Sequence, residues 1–206
     1  MIDARGFVTN PQGNGAMGPV VGFAIHHSVT EMGAAATEEQ ELAHVRTIDL
    51  FHVKQGFGGF GYHLCAFGSG RSYFCGDLNR RRAHVESRNH ELIGICAIGN
   101  FVGRLPEAAQ LHALQECIDF ARQTYGNLPI KGHNDWALPG GGTACAGALN
   151  GYQWGTPLPP VPPAVDPVRL SHALPFLYAA YFKGDKGLLH PFDREEIQKA
   201  IDWHRS

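Results

Sequence analysis

The stretch LIGICAIGNF, residues 92–101, is a continuous apolar run without a single charge. It is too short to cross a bilayer, and it lacks the polar–apolar alternation of a strand with one wet face. It therefore reads as a central strand buried on both sides, which demands a layer of structure above it and another below. The neighbouring segments supply those layers. PVVGFAIHHSV (19–29) is a second short apolar, β-branched run ending in two histidines, and reads as a buried strand. TEEQELAHVRTIDLFHVKQ follows it, with Thr37 and Gln40 at capping-box spacing and Leu42, Val45, Ile48 and His52 on one helical face. GYHLCAF and SYFCG read as paired strands around the turn at Gly68 to Gly70. PEAAQLHALQECIDFARQTYG is a helix with Pro106 in its first turn, a stripe of Leu111, Leu114, Ile118 and Tyr125, and a stop at Gly126. LPIKGH gives a short strand delivering His133. The expected class is α/β: a central mixed β-sheet flanked by helices.

That alternation ends at TPLPPVPPAVDP, residues 156–167, which reads as a stiff Pro-rich linker. Two short helices are expected beyond it, the second opened by Asp193 with Glu196 at capping-box spacing. The organisation is thus residues 1–155 as the catalytic domain, 156–167 as linker and 168–206 as a small helical appendage. The appendage is rich in aromatics (Phe176, Tyr178, Tyr181, Phe182, Phe192, Trp203), which suits docking on the main domain or cell-wall binding. A segment this short rarely folds alone.

Charge is nearly balanced, at a formal net of −2 over 206 residues, which gives no electrostatic case for nucleic acid. The local basic run NRRRAH (79–84) reads as a solvated surface turn. No apolar run approaches spanning length, so membrane insertion is not expected, and the N-terminus shows no secretory signal. The expected location is the cytoplasm on synthesis. The five cysteines are an odd number, so at least one is unpaired; Cys65 and Cys75 flank the expected hairpin and are either bonded across it or, in the simpler reading, free buried thiols, while Cys96 and Cys117 read as core.

The chemistry gathers around KGHNDWALPGGGTACAG, residues 131–147, which sets His133 and Cys145 on either side of a glycine-rich loop. Zinc favours imidazole and thiolate, and a catalytic site keeps three protein ligands with one position open. His133, Cys145 and either His26 or His27 give that count. The two adjacent histidines point to opposite faces of a regular strand, so one of them joins a given site. His63 reads as packed or hydrogen-bonded. Glu91 and Asp135 are candidate general bases or orienting groups, Asp135 reading rather as a loop residue, and Trp136 and Trp154 are candidate sugar-stacking platforms.

Four segments in register, AIHHSVT, GFGYHLCAFGSGRSYFCGD, AHVESRNHELIGICAIGNF and GHNDWALPGGGTACAG, resemble the zinc-dependent N-acetylmuramoyl-L-alanine amidases. This type 2 amidase family includes phage amidases and peptidoglycan recognition proteins, and the resemblance covers roughly residues 20–155. It implies one zinc ion held by His26, His133 and Cys145. It implies a tyrosine, Tyr62, near the reacting water, and Thr143 at a position that is lysine in some members. Asn89 matches an asparagine that holds the substrate loop, and His84 a residue lining the groove; with Trp136 these are the expected substrate-binding residues. Two departures stand out: CAG replaces the usual CPG at Cys145 to Gly147, and PGGG lengthens the interval from His133 to Cys145.

The resemblance further implies hydrolysis of the amide between N-acetylmuramic acid and L-alanine of peptidoglycan; the lack of a visible secretory signal favours a monomeric phage-type endolysin acting on the wall after release, or a cytoplasmic wall-recycling enzyme, over an animal immune protein. Two alternatives belong to other classes. A peptidoglycan-binding module without activity typically lacks the cysteine ligand, which this chain keeps. A cysteine hydrolase with Cys145 as nucleophile and His133 as base would leave AIHHSVT and GYH without a role.

Overall fold

In a computed structural model, residues 1–139 and 142–155 are described, and they all belong to one compact unit. The linker and appendage expected over 156–206 lie outside these residues. A six-stranded mixed sheet runs through the centre, with strands β1 (Ile2–Asp3), β2 (Gly22–His27), β3 (Leu64–Ala66), β4 (Ser72–Phe74), β5 (Leu92–Ala97) and β6 (Ile130–Gly132). Their order is β1-β4-β3-β5-β2-β6, and every neighbouring pair is parallel except the β3–β4 hairpin. The class expected from sequence is the one observed. Both apolar runs, β2 and β5, lie side by side inside the sheet and are buried along their whole length.

Helices α1 (Glu38–Lys54), α2 (Ala108–Tyr125) and the single turn α3 (His133–Trp136) complete the layers. Among the described residues no helix is long and apolar enough to cross a membrane. The capping box forms at α1: the Thr37 hydroxyl accepts the Gln40 N–H while the Gln40 side chain accepts the Thr37 N–H. Gly126 closes α2 with φ +75°, a conformation natural to glycine. Pro106 lies just ahead of the cap residue Glu107 rather than within the first turn.

The two faces of the sheet differ in kind. Under α2, Phe23, Ile25, Leu64, Ile93 and Ile95 meet Leu111, Leu114 and Ile118 in an apolar layer. Under α1, Val45, Ile48 and Phe60 pack with Tyr73, Cys65, Cys75 and Cys96, and polar groups are buried among them. Glu41, fully buried, accepts bonds from Ser69 Oγ, Arg71 Nε and Tyr73 Oη. Asp49, also fully buried, accepts from the backbone of Thr9 and Phe60, the Thr9 hydroxyl and Arg46. These are the compensating bonds that buried carboxylates require.

One expectation about the surface fails here. Within the basic run, Arg82 is buried, and its guanidinium donates to the carbonyls of Asn10, Pro11 and Phe60. It lies flat against Gly76, where any Cβ would collide with it. Arg82 is a clamp between three loops, not a solvated charge. The five cysteines are all free thiols; the Sγ atoms of Cys65 and Cys75 stand 3.6 Å apart.

Candidate metal centre

The alternation of β2 separates its two terminal histidines. His27 turns to the α2 face, where its Nδ1 accepts the N–H of Phe101 at 3.0 Å. His26 turns to the α1 face, into a group with His133 and Cys145 whose donor atoms all lie within 4.8 Å of one another. Among the described residues this is the one such group of three, and it is the set named from sequence. Its place at the carboxyl end of parallel strands is where open α/β sheets present their sites.

Each member arrives by a different route. His26 is the second-to-last residue of a fully buried strand, so its backbone is rigid. His133 opens α3 immediately after β6, so the expected strand stops one residue short of it. Cys145 comes from the loop beyond the glycines, and that loop is tied back at several points. Asn134 N–H donates to the Cys145 carbonyl, and Asn134 Oδ1 accepts the Thr143 N–H. Thr143 Oγ1 accepts the Cys145 N–H at 3.2 Å. Asn150 then joins the two later ligands: its Oδ1 accepts the Ala146 N–H at 3.0 Å, and its amide fills the space over Gly132 that any side chain there would need. The CAG departure acquires a reason, because the N–H that donates this bond belongs to Ala146 and a proline there would have none.

The Cys145 sulfur lies 3.6 Å from His26 Nδ1 and 3.4 Å from the His27 backbone nitrogen, whose N–H points at it. Burial pushes the thiol up to about 11, and the His27 N–H works in the opposite direction. Burial holds the His26 imidazole well below its usual range, with the rings of His84 and His133 adding to the effect, and it lowers His133 too. Neutral imidazoles are the form in which histidine binds a metal. The donor set of two imidazole nitrogens and one sulfur, with no carboxylate among its members, suits zinc.

Tyr62 completes the surroundings. Its ring sits 5.1 Å from that of His26 and edge-on to His52 and Phe60. Burial raises its phenol well above the ordinary value, so it keeps its proton. The chain leading into it is pinned: Phe60 N–H donates to Asp49, Gly61 N–H donates to His52 Nδ1, and the Phe60 carbonyl accepts from Arg82.

Of the three residues expected to bind substrate, His84 and Trp136 are placed otherwise, and Asn89 takes the loop-holding role also expected of it. His84 is buried beside His26, its Nδ1 3.1 Å from His26 Nε2, rather than on a groove wall. Asn89 turns its Oδ1 inward to the N–H groups of His84 and Val85, which is a loop-holding role. Trp136 is buried with its indole N–H on the Phe23 carbonyl, and the Arg88 guanidinium and Lys131 ammonium lie over its ring, so no platform is free for a sugar. Glu91 pairs with Arg88, and Asp135 is exposed in the first turn of α3. His63 is hydrogen-bonded as expected, between the Arg80 carbonyl and the Gly94 N–H. Sequence reasoning missed Asn150 and Asn134, which carry no motif; only their closeness in the chain to Cys145 and His133 hints at them.

The structure is thus a mixed α/β sheet that carries a His–His–Cys group at the carboxyl end of its strands. Comparison makes this specific: residues 16–148 match the family model for N-acetylmuramoyl-L-alanine amidase, a span that contains all three candidate ligands. The chain is 33% identical over 134 residues to a peptidoglycan-recognition protein of Drosophila melanogaster, covering 64% of this chain and 70% of that one. The fold also matches human PGRP-IβC in complex with glycosamyl muramyl pentapeptide (TM-score 0.59, 23% identity, 68% of this chain and 84% of that one). It matches the N-acetylmuramoyl-L-alanine amidase LysC of Clostridium intestinale as well (TM-score 0.53, 20% identity, 72% and 89%). The chain belongs to the N-acetylmuramoyl-L-alanine amidase family, with peptidoglycan recognition proteins among its relatives.

Proposed function

We propose that this protein is a zinc-dependent amidase that cleaves peptidoglycan between the lactyl carbonyl of N-acetylmuramic acid and the L-alanine of the stem peptide. The observation that carries the reading is the complete donor set, His26, His133 and Cys145, gathered at one point in a chain of an amidase family. A zinc ion held there supplies Lewis acidity toward an amide carbonyl and toward water. The rest is the work of the chain. Tyr62, protonated and pinned beside His26, donates a hydrogen bond to the carbonyl oxygen as negative charge develops on it. Thr143 accepts the Cys145 N–H through its hydroxyl oxygen, so its own O–H is available to a substrate oxygen. Peptidoglycan as partner is supported by the muramyl pentapeptide held by the human structural relative. By its resemblance to phage amidases we assign it the role of an endolysin, made in the cytoplasm and reaching the wall on release.

A binding module without activity is the second reading, favoured by the recognition proteins among the relatives. The cysteine-hydrolase alternative is disfavoured, because it leaves His26 and Tyr62, which stand beside Cys145 and His133, without a role. Release of soluble stem peptide from purified peptidoglycan, with chelator and then zinc add-back, separates the three. The expected result is activity lost with chelator, restored by zinc, and reduced more than about a thousandfold in Cys145→Ser. Tight wall binding without release makes the protein a recognition module, and activity indifferent to chelator moves the nucleophile to Cys145.

A further inference from the structure

His26 and His84 share a buried hydrogen bond whose direction the surroundings dictate. The Nε2 of His84 lies 3.0 Å from the Leu92 carbonyl, which accepts and never donates. His84 Nε2 therefore carries the proton, and in a neutral ring its Nδ1 is bare. That bare nitrogen stands 3.1 Å from His26 Nε2, so His26 must donate through Nε2. The remaining nitrogen of His26, Nδ1, is left with its lone pair facing Cys145 at 3.6 Å.

The fold is built around this ring. Strand β3 begins at Leu64, opposite Ile95, so on that side the first half of β5 has no strand partner. Two histidines take the vacated places: His63 exchanges bonds with Gly94, and His84 takes the Leu92 carbonyl. Position 94 is glycine, and a Cβ there would come within 2.8 Å of the His84 ring. Asn89 fixes the backbone at the other end through the His84 and Val85 N–H groups. Ring, strand and loop are fitted to one orientation.

We propose that His84 is a positioning residue that fixes His26 in its Nε2–H form and so presents Nδ1 to the metal. It acts from the Leu92 carbonyl, through His84, to the first ligand, and touches no substrate. The proposal rests on the metal reading above only for its consequence; the proton arrangement itself exists without any ion.

The test uses full-length metal-free protein labelled with 15N-histidine, long-range 1H–15N spectra for the His26 tautomer, and chelator competition for Co2+ affinity. His84→Phe keeps the ring volume and removes the acceptor. His84→Asn keeps an acceptor oxygen near the position of Nδ1. Wild type and His84→Asn are expected to show His26 as the Nε2–H form alone, with Co2+ affinity within about threefold of each other. His84→Phe is expected to lose that single form and to bind Co2+ about 10 to 100 times more weakly. Wild-type His26 found as the Nδ1–H form overturns the proposal, whether or not His84→Phe folds. So does His84→Phe with unchanged tautomer and affinity, or His84→Asn falling as far as His84→Phe, which would make the ring a space-filler. A wild type that binds no metal refutes the zinc reading instead, while the His26 spectrum still judges His84.

Discussion

The α2 face of the sheet and the α1 face use the same strands for opposite ends. The α2 face is aliphatic and aromatic almost throughout, with side chains whose contribution comes from area removed from water. The α1 face buries Glu41, Asp49, Arg82, His26, His63 and His84, each needing a partner to offset its lost hydration. One face holds the sheet together, and the other holds functional groups at fixed positions. The two are separable because adjacent residues of a strand point to opposite faces.

If that separation is real, Leu114→Ala lowers stability by about 3 to 5 kcal/mol through the cavity it leaves, while zinc affinity of the folded protein stays within about twofold. Urea unfolding beside metal competition checks this, and a parallel loss of affinity would join the two faces. Acid attacks the other side. His26, His63 and His84 are held below their usual range chiefly by burial, His84 at about 3. The unfolded chain takes up their protons below about pH 6.5 and the folded one does not. Stability of the metal-free protein is therefore full above that pH and falls as pH drops, at up to about 4 kcal/mol per pH unit for three protons. Urea midpoints at pH 7.5, 6.0 and 5.0 measure it; a flat profile would mean these imidazoles are not buried neutral.

Asp49→Asn comes next. It replaces an acceptor of four bonds by a group that meets donors with a donor, at about 2 to 4 kcal/mol, and frees the Phe60 approach to Tyr62. The turnover number should fall with it, and unchanged turnover in the folded variant would remove Asp49 from the support of Tyr62. Thr143→Ala is the mildest, below about 1 kcal/mol of stability, with metal affinity reduced a few-fold as the Cys145 N–H loses its acceptor.

The α2 face was the more legible in sequence. Its pattern is local: period 3.6 in Leu111, Leu114 and Ile118, and a continuous apolar run in β5. The grouping of His26, His133 and Cys145 was legible by a different means, as four motifs in register, and the alternation of β2 said that only one of His26 and His27 could join the other two. What stayed hidden depends on where other segments start and stop. Arg82 is buried because loops near residues 10 and 60 close over it. His84 leaves the groove because β3 starts too late to cover Leu92. Asn150 registers Ala146 against Gly132, two positions that no spacing rule connects.

The shortness of β3 also limits how this protein can be engineered. Lengthening the β3–β4 hairpin to regularise the ladder is an ordinary route to a tougher sheet protein, and here it would pair Leu92 and Gly94 with backbone in place of imidazole. The stabilised variant would have its two inner histidines displaced, and with them the hydrogen bond that His84 makes to His26. Thermal robustness in this scaffold has to be sought in the aliphatic layer under α2, among residues such as Leu111, Leu114 and Ile118.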